Sequence, residues 1–463
     1  MSTLEKRGDF FLHTKKTGHF FRILPELAAQ TTKKECPVAS TILQTDLSVT
    51  ISEFVDGVYG GSFGKCALRQ TKFLLGGIVE RGTTLVSSLA KGLSPDRRTA
   101  PKKQREMVSR HLERLDLSTG MSKWLEKQVC FSQDTPVAVD CSDLSKQFGG
   151  KGMEGMEWGH DGSTGGKSMG HLFVSAAVVP GAGNVAKPFW VKLKRGKHGA
   201  AQLALEAVQK AHELSKGRAI CILDRGGDGI PTLTELLDKR IPSIVRIAKL
   251  DRDLFGTGRS IDKDLAVREN VHADLRRNSG NTQQATIRWA VGRLDVSTDK
   301  RKSAVPDCRE ILVVESRFGG KSLYFYRTLA AEEYGNRETL RQRAVQTAQL
   351  YLQRWQIETS YLRLKQDFGL EEARVRTFKR LENLFALCYL AYHFVQFHIP
   401  GCGRYHRFVK IARDNAVTLT SRAESLLAAI RVLLSEIAYK YISGRPRKKS
   451  AADGYPEQMT LAI

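Results

Sequence analysis

The segment Tyr351–Lys365, YLQRWQIETSYLRLK, constrains this 463-residue chain more than any other stretch. Tyr351, Arg354, Glu358 and Lys365 lie three, four and seven positions apart in it. At about 100° per residue, all four fall within an arc of about 60° on one helix face. Leu350, Ile357, Leu364 and Phe368 fall on an adjacent stripe, so the pattern predicts a helix that buries one side and presents the polar row. One carboxylate between cations suits a place where a metal ion and a phosphate meet, with Glu358 on the metal and Arg354 and Lys365 on the phosphate. A solvated face of ion pairs would show the same spacing.

A carboxylate that binds a metal needs partners, and two upstream acids interrupt apolar runs. Asp140 follows Val137, Ala138 and Val139 in the β-rich stretch TPVAVDCSDLSK. An acid there is costly in a buried strand unless it is paired or binds a metal, which makes Asp140 the first candidate ligand. Asp143, three positions on, would face the other way along a continuing strand. In AICILDRGGDGIPTLTELLDKR, the apolar Ile220–Leu223 predicts a buried strand with Asp224 at its end and a helix opening near Pro231. Strand ends of this kind are where α/β sheets build their sites. Asp228 fits a helix cap or a turn former.

Charge narrows the partners. The chain carries 73 Lys and Arg against 49 Asp and Glu, a net +24 spread along its length. That surface suits a polyanion such as nucleic acid, and charge alone also admits a ribosomal or membrane-surface protein. The eight cysteines form no CxxC pair or zinc-type cluster, which fits reduced thiols in the cytosol. The N-terminus has no secretory h-region, and the apolar run Leu384–Ile399 contains His393 and Gln396 and is short for a bilayer span, so it reads as a buried helix. No membrane association is expected.

Elsewhere the pattern is coarser. Phe63 to Leu117 reads as basic helices with a Pro-containing break. The glycine-dense Phe148–His171 ends in GGKS but lacks the first glycine of a P-loop, since Asp161 stands there. It reads instead as a loop beside the site, with Lys151, Lys167 and Trp158 available to DNA. LFVSAAVVPG and KPFWVKLKRG predict strands, and AAQLALEAVQKAHELS an amphipathic helix. Between Asp224 and Glu358 several strands are expected, broken at Gly256, Gly258, Gly280 and Gly292. GLEEARVRTFKRLENL adds Arg374, Arg376, Lys379 and Arg380, and GRPRKKS forms a basic tail after a helical region near 416–442.

The Tyr, Arg, Glu and Lys spacing, met without a gap, resembles the signature of bacterial insertion-sequence DDE transposases of the insertion-sequence-four family. The likeness is strongest over roughly 135–400. It implies an α/β fold: a ribonuclease H-like mixed-sheet core at 131–400, a β-rich insertion at about 246–330, a helical DNA-end-binding region at 1–130 and a helical C-terminal region with a basic tail at 401–463. It implies Asp140, Asp224 and Glu358 as the catalytic, metal-holding triad, with Asp143 in support. Arg225 matches an Asp-Arg pair of the family, and Arg246 an Arg that follows an apolar strand. Where some relatives carry a Trp that stacks on a flipped base, this chain has Tyr324, Phe325 and Tyr326, and Tyr324 takes that place. Tyr351, Arg354 and Lys365 complete the DNA-binding set.

Three carboxylates form the hard oxygen set that Mg²⁺ or Mn²⁺ prefers. Two such ions about 4 Å apart can activate a water or a 3′-hydroxyl on one side of a phosphodiester and stabilise the leaving oxygen on the other. The resemblance further implies cut-and-paste transposition of double-stranded DNA, with terminal inverted repeats and target as partners, a homodimer or larger synaptic assembly, and a cytoplasmic, nucleoid-associated setting. A ribonuclease H-like nuclease that does not transpose, or a DNA-binding regulator without catalysis, are the alternatives.

Overall fold

The computed structural model describes residues 37–402 apart from 92–99, 147–151, 161–165, 182–183, 197–198, 278–279 and 297–307. Lys151, the 416–442 region and the GRPRKKS tail lie outside the described residues. The chain divides into two compact units, one of Glu53–His398 and one of Met1–Ser52 with Ile399–Ile463. The sheet and the candidate site belong to the first.

Its centre is a mixed sheet of ten described strands: β1 (Thr135–Ser145), β2 (Glu157–His160), β3 (Lys167–Val178), β4 (Lys187–Leu193), β5 (Ala219–Leu223), β6 (Ser243–Arg246), β7 (Asn270–Arg276), β8 (Thr282–Asp295), β9 (Cys308–Phe318) and β10 (Lys321–Arg327). The order is β2-β3-β1-β5-β6-β10-β9-β8-β7, with β4 on β3. β1, β5 and β6 run parallel, and β3 and β10 flank them antiparallel. The strands between Asp224 and Glu358 therefore extend the central sheet. This is a mixed α/β fold with a ribonuclease H-like core.

β5 shows why the middle strands read as unbroken apolar runs. Cys221 and Leu223 enter the core cluster on one face, and Ile220 and Ile222 enter the cluster on the other. A strand covered on both faces gains on every side chain, each worth roughly 1.5–3 kcal/mol when fully buried. Helix α6 (Ala200–Ser215) and α7 (Ile230–Asp238) cover the first face through Leu203, Ala207, Val208, Leu233 and Leu236. Helix α9 (Arg337–Gln353) covers the second through Leu340, Ala344 and Ala348. α8 (Ile261–Ala266) is a short cover beside β8.

The glycine-dense stretch departs from a plain loop, because part of it is β2, paired antiparallel with β3. Glycine hides this strand from propensity, and its neighbour β3 needs a glycine at Gly170, where a Cβ would stand 2.3 Å from the Leu144 carbonyl oxygen across the β1–β3 pair.

The basic stretch from Phe63 to Leu117 is helical as its periodicity predicts, in α2 (Lys65–Arg81), α3 (Val86–Ala90) and α4 (Pro101–Arg114), and two further helices flank it, α1 (Pro37–Tyr59) and α5 (Leu117–Glu126). Helices α2, α4 and α5 pack on α11 (Phe378–His393), whose residues from Leu384 to His393 are all buried. Asn383 of α11 seals this contact: its amide donates to the carbonyls of Leu112 and Leu115 at 2.7 and 2.8 Å and accepts from Leu117 N at 2.9 Å. No described helix is long and apolar enough to cross a membrane.

Candidate active site

The signature segment folds as two abutting helices, α9 and α10 (Trp355–Gln366), that meet at Arg354. Arg354 keeps helical angles, φ −51° and ψ −35°. The turn tightens there: Arg354 N bonds Tyr351 O at 3.1 Å, and Ile357 N bonds Arg354 O at 3.0 Å, both over three residues. Ile357, Leu364 and Phe368 are wholly buried and Leu350 nearly so, as their stripe predicts.

Three separate stretches bring their acids to the Arg354–Tyr351 pair. Asp140 lies on β1 one residue beyond Val139, the last residue paired with β5. Asp224 follows the last residue of β5. Glu358 lies in the first turn of α10. The Arg354 guanidinium pairs with Asp140 Oδ2 at 3.1 Å and with Glu358 Oε1 at 2.5 Å, its side chain only 8% exposed. Asp224 Oδ1 accepts from the Tyr351 hydroxyl at 2.8 Å and pairs with Arg246, at the end of β6, at 3.4 Å. Tyr351 links the two pairs: its ring lies 5.6 Å from the Arg354 guanidinium and packs tilted at 45° against Phe325, centroids 4.5 Å apart.

The electrostatics follow from this geometry. Burial pushes Asp140 up to about 6; Arg354 and the Cys141 amide pull it down, while Glu358 and Asp224 push it further up. Asp224 is also raised by burial, yet Arg354, the Tyr351 hydroxyl and Arg246 together hold it below the usual carboxylate range. Burial lifts the Tyr351 phenol to about 12, so it stays a donor to Asp224. Burial weakens the Arg354 charge, but Asp140, Glu358 and Asp224 outweigh it and keep the group cationic.

The remaining sequence-selected residues are more scattered. Lys365 pairs with Asp143 at 3.4 Å and Glu371 at 3.1 Å, so Asp143 meets Lys365 rather than Arg354. Arg225 is exposed in the one-turn 3₁₀ helix Arg225–Gly227. Tyr324 is half-buried against the core, its hydroxyl 3.4 Å from Glu315. Trp158 stands exposed on β2.

Two structural roles left no trace in sequence pattern. Asp228 is neither the cap of α7, which is Gly229, nor a plain turn residue. It is buried, accepts from the amides of Ala248 and Lys249 at 2.7 and 3.0 Å, and pairs with Arg252. Tyr361, one turn after Glu358, donates its hydroxyl proton to the Asp140 carbonyl at 2.9 Å and sits 2.7 Å from Ser175 Oγ. The partners of both lie far away in sequence, and three are backbone groups that carry no residue signature.

The donor set fits a hard divalent cation. Asp140, Asp224 and Glu358 offer only carboxylate oxygens, and repulsion among them contributes to the rise at Asp140. Among the described residues no group of three or more His, Cys, Asp and Glu side chains is drawn together closely enough to hold a metal ion as it stands. The Arg354 guanidinium lies between Asp140 and Glu358 and supplies the positive charge there.

A family model described as the transposase DDE domain matches residues 132–394, more than half of the chain and all three acids. None of the curated proteins compared with the chain matches it.

Proposed function

The chain belongs to the transposase DDE-domain family, and on that premise we propose that it is a DNA transposase of the insertion-sequence-four type with the Tyr-Arg-Glu-Lys signature. It cleaves at the ends of its element and transfers the freed 3′ ends into target DNA. The observation that carries this reading is the convergence of Asp140, Asp224 and Glu358, from three distant stretches, on the Arg354–Tyr351 pair.

In this reading Asp140, Asp224 and Glu358 hold Mg²⁺ or Mn²⁺. Bound there, such ions supply Lewis acidity to the attacking and leaving oxygens of an in-line phosphoryl transfer. Arg354 is released from its acid partners as DNA enters and turns its planar fork to a phosphate, for which a guanidinium is the matching donor. Lys365 adds a point charge further along the same face. Arg246 and the Tyr351 hydroxyl keep Asp224 ionised and oriented. Arg225, exposed beside Asp224, reaches the backbone of the duplex, and the half-buried Tyr324 ring offers a stacking face. The basic helices before residue 130 grip the terminal repeat, and two or more protomers hold the paired ends.

The test is cleavage of a labelled duplex bearing the element's own terminal repeat, in Mg²⁺, with the wild type and Glu358→Gln. Wild-type cleavage at the repeat boundary should fall at least about a hundred-fold in the variant while DNA binding persists. Binding without cleavage by either protein would leave a DNA-binding regulator, and absence of binding would remove the transposase reading.

A further inference from the structure

The Tyr361 hydroxyl occupies a particular rung of the sheet. Asp140 of β1 and Ser175 of β3 are register partners across the antiparallel pair. Tyr361, from α10, bonds to both of them, to the Asp140 carbonyl at 2.9 Å and to Ser175 Oγ at 2.7 Å. A hydroxyl has one proton to give and lone pairs to receive, so a phenol that donates to the carbonyl accepts from Ser175 and is fully used. All three groups are buried or nearly so, and the Tyr361 ring packs edge-on against Phe173 of β3 at 5.2 Å. Burial holds the phenol far above its ordinary pKa, so the donor persists at any working pH.

Glu358 and Tyr361 are one helical turn apart. Fixing the Tyr361 hydroxyl on the Asp140 rung therefore fixes the approach of the Glu358 carboxylate to the Asp140 carboxylate. We infer that Tyr361 is a positioning residue that sets the spacing of the Asp140 and Glu358 ligands for the divalent ion. The inference rests on the metal-holding role proposed above. Arg354 also bridges these two acids, but a guanidinium that moves to DNA gives up that hold, whereas the Tyr361 contact reaches the Asp140 backbone and remains.

The experiment is Mn²⁺ binding to the DNA-free full-length protein, followed by electron paramagnetic resonance, in Tyr361→Phe. Tyr392→Phe is the control, because it deletes an equally buried phenol bond, 2.8 Å to the Ala186 carbonyl, away from the site. Both variants should lose similar thermal stability, and only Tyr361→Phe should raise the Mn²⁺ midpoint, by ten-fold or more as for other groups that orient metal ligands. Equal midpoints in Tyr361→Phe and wild type, or equal shifts in the two variants, would overturn the inference. If Tyr361→Phe does not fold, Ser175→Ala carries the test, with a smaller rise expected and an unchanged midpoint overturning it. Asp140→Asn separates this inference from its parent. Loss of Mn²⁺ binding in Asp140→Asn with none in Tyr361→Phe removes only the positioning role, and unchanged binding in Asp140→Asn removes the metal reading itself.

Discussion

Two acid–guanidinium contacts stand near the same end of the sheet and are built in opposite ways. Asp228 meets Arg252 from the loop after β6, and two backbone amides complete its shell. Asp140 meets Arg354, which it shares with Glu358, and takes one amide, that of its own neighbour Cys141. The first acid has as many donors as a buried carboxylate wants; the second is one of three acids served by few cations. A structural carboxylate is saturated by its fold, whereas the Asp140 group is left in electrostatic debt that a metal ion and a phosphate-bearing strand can settle.

The sharpest way to break this contrast is to exchange the two losses. Asp140→Asn should abolish cleavage and change unfolding free energy by no more than about 1 kcal/mol, since it relieves repulsion while keeping the shape. Asp228→Ala leaves Arg252 and two amides buried without their acceptor and should cost about 3–5 kcal/mol in chemical denaturation. Similar stability losses in the two variants would erase the distinction.

A second test sets the acid centre against the helical layer. Burial pushes the His111 imidazole, 3.2 Å from Thr71, down to about 4, so the ring is folded in its neutral form. A folded pKa below the unfolded value near 6.5 gives stability that is complete above that pH and is lost as the pH falls toward 4. Denaturation between pH 7 and 4 should show a loss on the order of 3 kcal/mol from this ring, and His111→Gln should flatten that part of the profile.

Smaller effects sharpen the site itself. Arg354→Lys keeps the charge but cannot fork between Asp140 and Glu358, so cleavage should drop about ten-fold or more while the thermal midpoint moves by a few degrees. Tyr351→Phe removes one bond to Asp224 and should cost about 1 kcal/mol in denaturation, with a modest loss of cleavage rate. Full activity in Arg354→Lys would mean that charge alone suffices at this position.

Much of this was legible because acids interrupt apolar runs. Asp140 and Asp224 stand out after Val137–Val139 and Ile220–Leu223, and the spacing around Glu358 places a helix with a buried Ile357–Leu364 side. Other features were hidden for physical reasons. The β2 strand lies among glycines, which carry no strand propensity. The break at Arg354 is a shift in hydrogen-bond span, to which side-chain periodicity is blind. The Asp228 and Tyr361 partners are fixed by the three-dimensional meeting of β6, β1 and β3, and one of Tyr361's is a carbonyl that any residue could supply.

The acids come from β1, β5 and α10, so the chain must be synthesised past residue 358 before they can meet. Contacts of such long sequence separation form late, and domains ordinarily complete folding only when their last element is available. A chain that ends before residue 358 thus carries two of the three acids at most. On the proposed reading, DNA is exposed to the cutting centre only after the chain has been made past residue 358, a safeguard that comes from the order of the elements alone.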